Sequence, residues 1–246
     1  MTGRRLADGV LLVAHGSSDP RAAAATRALT RAVAAQRPGL DVRCAFLDHA
    51  GPRPGEQLAA FEALGHRAVV VVPLLLTNAF HGRFDLPAVL ERARAGGLGL
   101  DVTTTDVLGA GAPALLLSAL RRLLPPVPFD GVVLAAAGTR DDLARHSVDG
   151  AAAALGASLG VPCVPGYASA STVTGAAAVA ALRAQGCERI AVSSYFLAPG
   201  RLHDLVVGSA VGAGALEPVA APLCAHVDVA RLVMSRIGDF ALVRAA

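Results

Sequence analysis

The chain has 246 residues, a formal net charge of +3 and 54% hydrophobic residues, with 4% aromatics and no tryptophan. So small a charge, with no Lys/Arg run carrying interleaved aromatics, excludes a nucleic-acid surface, and an apolar content built on Ala, Val and Leu predicts an aliphatic core. The basic residues are all arginine, a composition that reads as a GC-rich coding sequence rather than a special role.

The first residues, M-T-G-R-R-L-A-D-G, run towards a strand and not into an apolar signal core, so the expected location is the cytoplasm. Short Val/Leu/Ala runs then alternate with longer amphipathic segments, the pattern of repeated βα units. Strands are expected near 10–14, 41–47, 68–74, 101–106, 131–136, 162–167, 189–196 and 217–221, with helices between them. The first helix has a clear start. Asp19 can cap it, Pro20 suits its first turn, and Ala-rich sequence runs on to about Gln36. The segment Leu124-Pro125-Pro126-Val127-Pro128 is a stiff link that divides the chain into lobes 1–124 and 129–246. The longest uncharged stretch, Gly150 to Leu182, is interrupted by Pro162 and Pro165, so no membrane-spanning helix is expected. Cys44, Cys163, Cys187 and Cys224 form no C-x-x-C pair and read as reduced thiols.

The two lobes repeat one another. V-L-L-V-A-His15-Gly16-Ser17-Ser18-Asp19 aligns with V-V-L-A-A-Ala137-Gly138-Thr139-Arg140-Asp141, and Cys44 aligns with Cys163. The stretch from Arg67 through His81 to Asp85 aligns with the stretch from Arg189 to Asp204, with a short deletion in the second copy. This is the signature of a duplicated unit. The expected fold is α/β, with two similar lobes, each a four-stranded parallel sheet flanked by helices, and a cleft between them.

In an open parallel sheet, ligands bind beyond the carboxyl ends of the strands. His15 and His81 both fall there, and both are missing from the second copy while the hydrophobic scaffold is kept. If the first and third strands are neighbours, as in the order 2-1-3-4, the two imidazoles flank the same crevice. Gly16-Ser17-Ser18 can cradle an anion at the start of the following helix. It lacks the lysine and the glycine spacing of a P-loop, and G-x-S-x-G is missing, which disfavours a nucleotide site and a serine hydrolase. Arg83 is either a carboxylate contact or a solvated side chain, and Asp48 ends the second strand near the same crevice. His49, His66, His146, His203 and His226 read as structural.

H-G-S-S-D-P-R, C-A-F-L-D-H-A-G-P-R-P and V-V-V-P-L-L-L-T-N-A-F-H-G-R-F-D-L-P, in this order, resemble the CbiX/SirB-type sirohydrochlorin chelatases. These are class II chelatases, together with protoporphyrin ferrochelatase and the anaerobic cobaltochelatase. The resemblance covers nearly the whole chain, including the two-copy form of the long members. It implies a lyase that inserts a divalent metal into the tetrapyrrole sirohydrochlorin without ATP. His15 and His81 would be the catalytic and metal-handling pair. The metal would be a substrate and no organic cofactor is implied; iron, giving sirohaem, stands ahead of cobalt for the cobalamin route, although no residue separates them. Ser17, Ser18, Arg21, Arg53 and Arg83 are the expected contacts to the carboxylates of the macrocycle. The family often carries Glu where Asp48 stands here. A monomer with one site is expected, without membrane or nucleic-acid partners. The alternative on the same fold is a metal or tetrapyrrole carrier without turnover.

Overall fold

The computed structural model describes residues 6–7, 9–77, 86–111, 113–238 and 241–242. The chain divides into two units, one made of residues 1–110 with 229–246 and the other of residues 111–228.

In the first unit, strands β2 (Gly9–Ala14), β3 (Asp41–Phe46), β4 (Ala68–Pro73) and β5 (Asp101–Thr104) form a parallel sheet in the order β3-β2-β4-β5. Apart from the short β1 (Leu6–Ala7), which pairs with β9 (Ala241–Leu242), this is the expected order with its switch point between β2 and its two neighbours. Helices α1 (Pro20–Gln36), α2 (Pro54–Ala63) and α3 (Leu86–Ala95) connect the strands. Leu11, Val13, Val69 and Val71 pack with Leu58, Phe61, Leu86 and Leu90 in one core cluster, while Val10, Leu12, Val70 and Val72 are also buried. Burial on both faces explains why these strands read as continuous apolar runs and not as alternating ones. Each fully buried Val or Leu contributes about 1.5–3 kcal/mol. Helix α1 starts as expected, with the Asp19 carboxylate accepting from the Arg21 N–H at 2.9 Å and Pro20 in the first turn.

The second unit holds β6 (Gly131–Ala136), β7 (Cys163–Tyr167) and β8 (Ile190–Tyr195) in the parallel order β7-β6-β8, with α4 (Ala114–Leu123), α5 (Asp142–Leu159), α6 (Gly175–Ala184) and α7 (Arg201–Gly212). This sheet has three strands where four were expected, because residues 217–221 do not form one. The Leu216 N–H bonds the Ile190 carbonyl at 2.8 Å, as a parallel neighbour of β8 would. Pro218 then stands two residues on, where the next N–H is needed, and has none to give. The ladder resumes only at Ala220, whose N–H reaches the Val192 carbonyl at 3.0 Å.

The register corrects two details of the repeat. Leu12 pairs with Cys44 and Leu134 pairs with Pro165, so Cys44 corresponds to Pro165 and not to Cys163. Gly9 pairs with Val69 and Gly131 with Ile190, which shifts the β4 and β8 alignment by one residue. The boundaries also differ from those expected at the Pro-rich link. Helix α4 packs on α5 and β8 of the second unit. The last helix, α8 (Val227–Ile237), contributes residues 229–237 to the first unit, where Arg236 donates to the Leu108 and Ala110 carbonyls.

The closest agreement between the copies lies just beyond β2 and β6. Gly16 has φ +96 and a β-carbon there would collide with the Asp48 carbonyl; Gly138 has φ +88 and a β-carbon would collide with the Ser169 carbonyl. Gly39 has φ +90 with open space around it, so its replacement costs the left-handed strain of about 1–2 kcal/mol alone. Gly16→Ala and Gly138→Ala must add a backbone displacement and are expected to lose at least about 3 kcal/mol each. Urea unfolding of the three variants measures this, and equal losses at all three positions would show that the close approach carries no weight.

Candidate active site

The site is assembled where β2 and β3 end. The ladder between these strands continues beyond them: the Leu47 N–H donates to the Ala14 carbonyl at 3.0 Å and the Asp48 N–H to the His15 carbonyl at 2.7 Å. These bonds fix the backbone of His15 against that of Asp48. His15 is half-buried and its Nδ1 is closed off from solvent. Gly16 then turns the chain across the Asp48 carbonyl.

Asp48 and His49 form a local pair. The Asp48 Oδ1 accepts the His49 backbone N–H at 2.8 Å, and Oδ2 lies 3.6 Å from His49 Nε2. The two side chains are 58% and 51% exposed. His49 has φ +60, in the left-handed region that side chains with a β-carbon seldom occupy. The backbone N–H of His49, followed by the charges of His49, Arg53 and His15, holds the Asp48 carboxyl below its ordinary value. Asp48 is therefore ionised at neutral pH, within electrostatic reach of both imidazoles.

Of the other expected contacts, Ser17, Arg21 and Arg53 are engaged within the chain. The Ser17 hydroxyl accepts the Asp19 N–H at 3.1 Å, and in the second copy Thr139 does the same for Asp141 at 3.1 Å. This is a turn-forming bond common to both units. Ser18 is exposed beside it. Arg21 lies on the first turn of α1 and grips the Asp19 carboxylate with Nε at 3.0 Å and a terminal nitrogen at 2.5 Å. Arg53 precedes α2; it donates to the Leu47 carbonyl at 2.6 Å and stands 3.8 Å from the Asp48 carboxylate. Both arginines thus brace the loops that carry the site. His81 and Arg83 lie in 78–85, outside the described residues. The chain enters that stretch from β4, whose extension is tied to β2 by a 2.8 Å bond from the Leu74 N–H to the Val13 carbonyl.

The remaining histidines stand elsewhere. His66 pairs with Asp41 at 3.2 Å at the start of β3, His146 faces the Asp142 carbonyl within α5, and His226 accepts the Asp228 N–H at 3.1 Å ahead of α8. His203 is buried between Ser194 and Asp204, 3.1 Å from each. Burial pushes the thiols of Cys163 and Cys224 up to about 12 and raises that of Cys187, and all four cysteines are free. Among the described residues, no three His, Cys, Asp or Glu side chains gather as a metal cage, and no helix is long and apolar enough to cross a membrane.

His49 is the residue that sequence reasoning set aside. The signal was the repeat: the second copy has Ser169 and Ala170 where the first has Asp48 and His49, and Ala170 also has a positive φ, +54. The depressed Asp48 value gives a signed prediction. A carboxylate whose folded value lies below its unfolded one adds stability above the ordinary 3.8, and loses it as pH falls through the folded value. Asp48→Asn should therefore lower the thermal midpoint at pH 7, and the difference between the two proteins should shrink as pH falls below 3.8 and through the folded value. A difference independent of pH would assign the effect to packing.

Comparison with known proteins agrees with this architecture. The CbiX family model matches residues 9–123 and again residues 131–239. A curated relative, the sirohydrochlorin cobaltochelatase of Methanococcoides burtonii, is 26% identical over 83 residues; the match spans 34% of this chain and 63% of the relative's length. SirB from Bacillus subtilis with Fe3+ superposes with a TM-score of 0.79 at 21% identity, over 95% of both chains. The sirohydrochlorin chelatase SirB of Bacillus subtilis subspecies spizizenii, in complex with cobalt, gives 0.78 at 20% identity, over 95% of this chain and 94% of that one. With the family model matching across both repeats, the chain belongs to the CbiX family.

Proposed function

We propose that the protein is a lyase that inserts a divalent metal ion into sirohydrochlorin without ATP. The observation that carries this reading is the set of side chains at the carboxyl edge of the first sheet, His15 beside an ionised Asp48, on a backbone that the second unit repeats with Ala137 and Ser169. The cobaltochelatase relative and the SirB structures with Fe3+ and with cobalt support the substrate class and the kind of metal. Iron is the first choice and cobalt the second. A site of imidazole and carboxylate takes Co2+ at least as well as Fe2+, so supply in the cell decides between them.

Insertion requires that the ion lose water, that it meet one face of the macrocycle, and that two pyrrole N–H protons leave. Neutral imidazoles do two of these tasks, as ligands for borderline metals and as proton acceptors near neutral pH. We assign both to His15 and His81. A small set of ligands suits an ion that must depart with the product, whereas a closed four-ligand cage would retain it. The macrocycle's carboxylates are assigned to Ser17, Ser18, Arg21, Arg53 and Arg83, with the chain working as a monomer.

The reading is tested by mixing the protein with sirohydrochlorin and Co2+ or Fe2+ without oxygen, and following the absorbance against a protein-free control. Multiple turnovers are expected; binding that stops at one equivalent would make the protein a carrier. His15→Ala and His81→Ala should each lower the rate by at least about a hundredfold with little change in thermal midpoint, and near-wild-type turnover by both would sink the site. Substrate KM should rise with salt, and Arg83→Ala should raise it further while leaving metal affinity in place. A KM indifferent to both salt and this substitution would remove Arg83 from the site.

A further inference from the structure

We infer that His49 is a working residue of this site: with Asp48 it forms a loading station that takes the hydrated divalent ion from solvent and passes it to His15. The inference rests on the chelatase reading and adds a residue and a step to it.

The second unit serves as the control. Both copies place a glycine against the carbonyl of the residue at the end of the neighbouring strand, and both follow that residue with a left-handed one, His49 at φ +60 and Ala170 at φ +54. The bend therefore belongs to the fold, and its cost of about 1 kcal/mol or more is met in both units. What differs is the side chain carried. His15, Asp48 and His49 in the first unit correspond to Ala137, Ser169 and Ala170 in the second. All three positions differ together where the ladder extends in both units: Leu47 N–H to Ala14 is matched by Ala168 N–H to Ala136, both at 3.0 Å, and one residue on the Ala137 carbonyl takes the Ser169 hydroxyl at 2.9 Å where the His15 carbonyl takes the Asp48 N–H at 2.7 Å.

The geometry gives the pair its role. The bend aims the His49 N–H at Asp48 Oδ1 and leaves the ring 3.6 Å from Oδ2, so carboxylate and imidazole open to solvent on the same side of the loop. Carboxylate and imidazole are both ligands for Fe2+ and Co2+. Together they can replace two waters of the hydrated ion, and two ligands hold it weakly enough to release. The Arg53 guanidinium, 3.8 Å from Asp48, reduces the local negative charge and weakens that hold further. The Asp48 N–H donates to the His15 carbonyl at 2.7 Å, so the backbone of the receiving histidine lies against that of the donor pair. A solvent-exposed His–Asp ion pair would by itself be worth little to stability, so the experiment reads metal and not folding.

The experiment titrates the full chain with Co2+ alone, followed by the visible absorption of the bound ion, for the wild type, His49→Ala and His49→Gly. Glycine suits the left-handed backbone, so the second variant keeps the loop if the first does not. Cobalt affinity should fall about tenfold or more in both, the metal KM of insertion should rise in parallel, and kcat at saturating metal should stay within about twofold of wild type. Wild-type cobalt affinity in both variants would overturn the inference, as would a loss of kcat at unchanged metal KM. A wild-type chain that binds cobalt through His49 but leaves sirohydrochlorin unmetallated would retain the loading station and overturn the chelatase reading instead.

Discussion

The Asp48 carbonyl and the α-carbon of Gly16 lie so close that no β-carbon fits beside them, and the carboxyl edge of the first sheet is arranged around that contact. It forces the residue after His15 to be glycine, brings the loop after β2 across the end of β3, and makes the Asp48 N–H available to the His15 carbonyl at 2.7 Å. An imidazole and a carboxylate from strands far apart in the sequence are thus set side by side through backbone, before any side chain has made a contact. Arg53 and Arg21 complete the frame by holding the Leu47 carbonyl and the Asp19 carboxylate. Their positive charge at the rim is partly used in holding these loops, and that is why an arginine near a site cannot be read as a ligand contact from its position alone.

The duplication separates what the fold needs from what the chemistry needs. The second unit preserves the strand order around its central strand, the capped helix after it and the glycine contact. It fills the equivalent positions with alanine and serine, so the architecture stands without an imidazole or a carboxylate at those positions. Fold and site are independent variables here, and the site must be argued from side chains. The thiols point the same way. Burial raises Cys163, Cys187 and Cys224, which keeps them protonated at neutral pH, and a protonated thiol is not a competing metal ligand.

Much of the fold was legible because it rests on signals that act locally. Continuous Val/Leu runs mark strands buried on both faces, and Asp19-Pro20 marks a helix start. The parallel pairing of the first sheet followed from these and from the βα alternation, whereas its strand order entered only as a condition. What escaped depends on register or on partners distant in sequence. A proline at 218 is compatible with an edge strand, and only its place in the ladder shows that it interrupts pairing. Cys44 and Cys163 match as letters, yet the pairing of Leu134 with Pro165 sets them two positions apart. His49 follows a strand end in a loop, with nothing in its neighbours to mark a left-handed backbone. Only the comparison of Asp48-His49 with Ser169-Ala170 separates it from the other loop histidines.

The exchange of final helices has a consequence for how the chain is made. Helix α4 leaves the first unit to pack in the second, while residues 229–237 return to the first, burying Val229, Ala230, Leu232, Val233 and Ile237. A chain synthesised from its amino terminus therefore has every strand of the four-stranded sheet long before it has the helix that completes the unit's core. The second unit, continuous in sequence from 111 to 228, has all its parts first. The unit that carries His15 is closed by residues that emerge after the whole of the second unit, so a chain interrupted before them leaves that core unfinished.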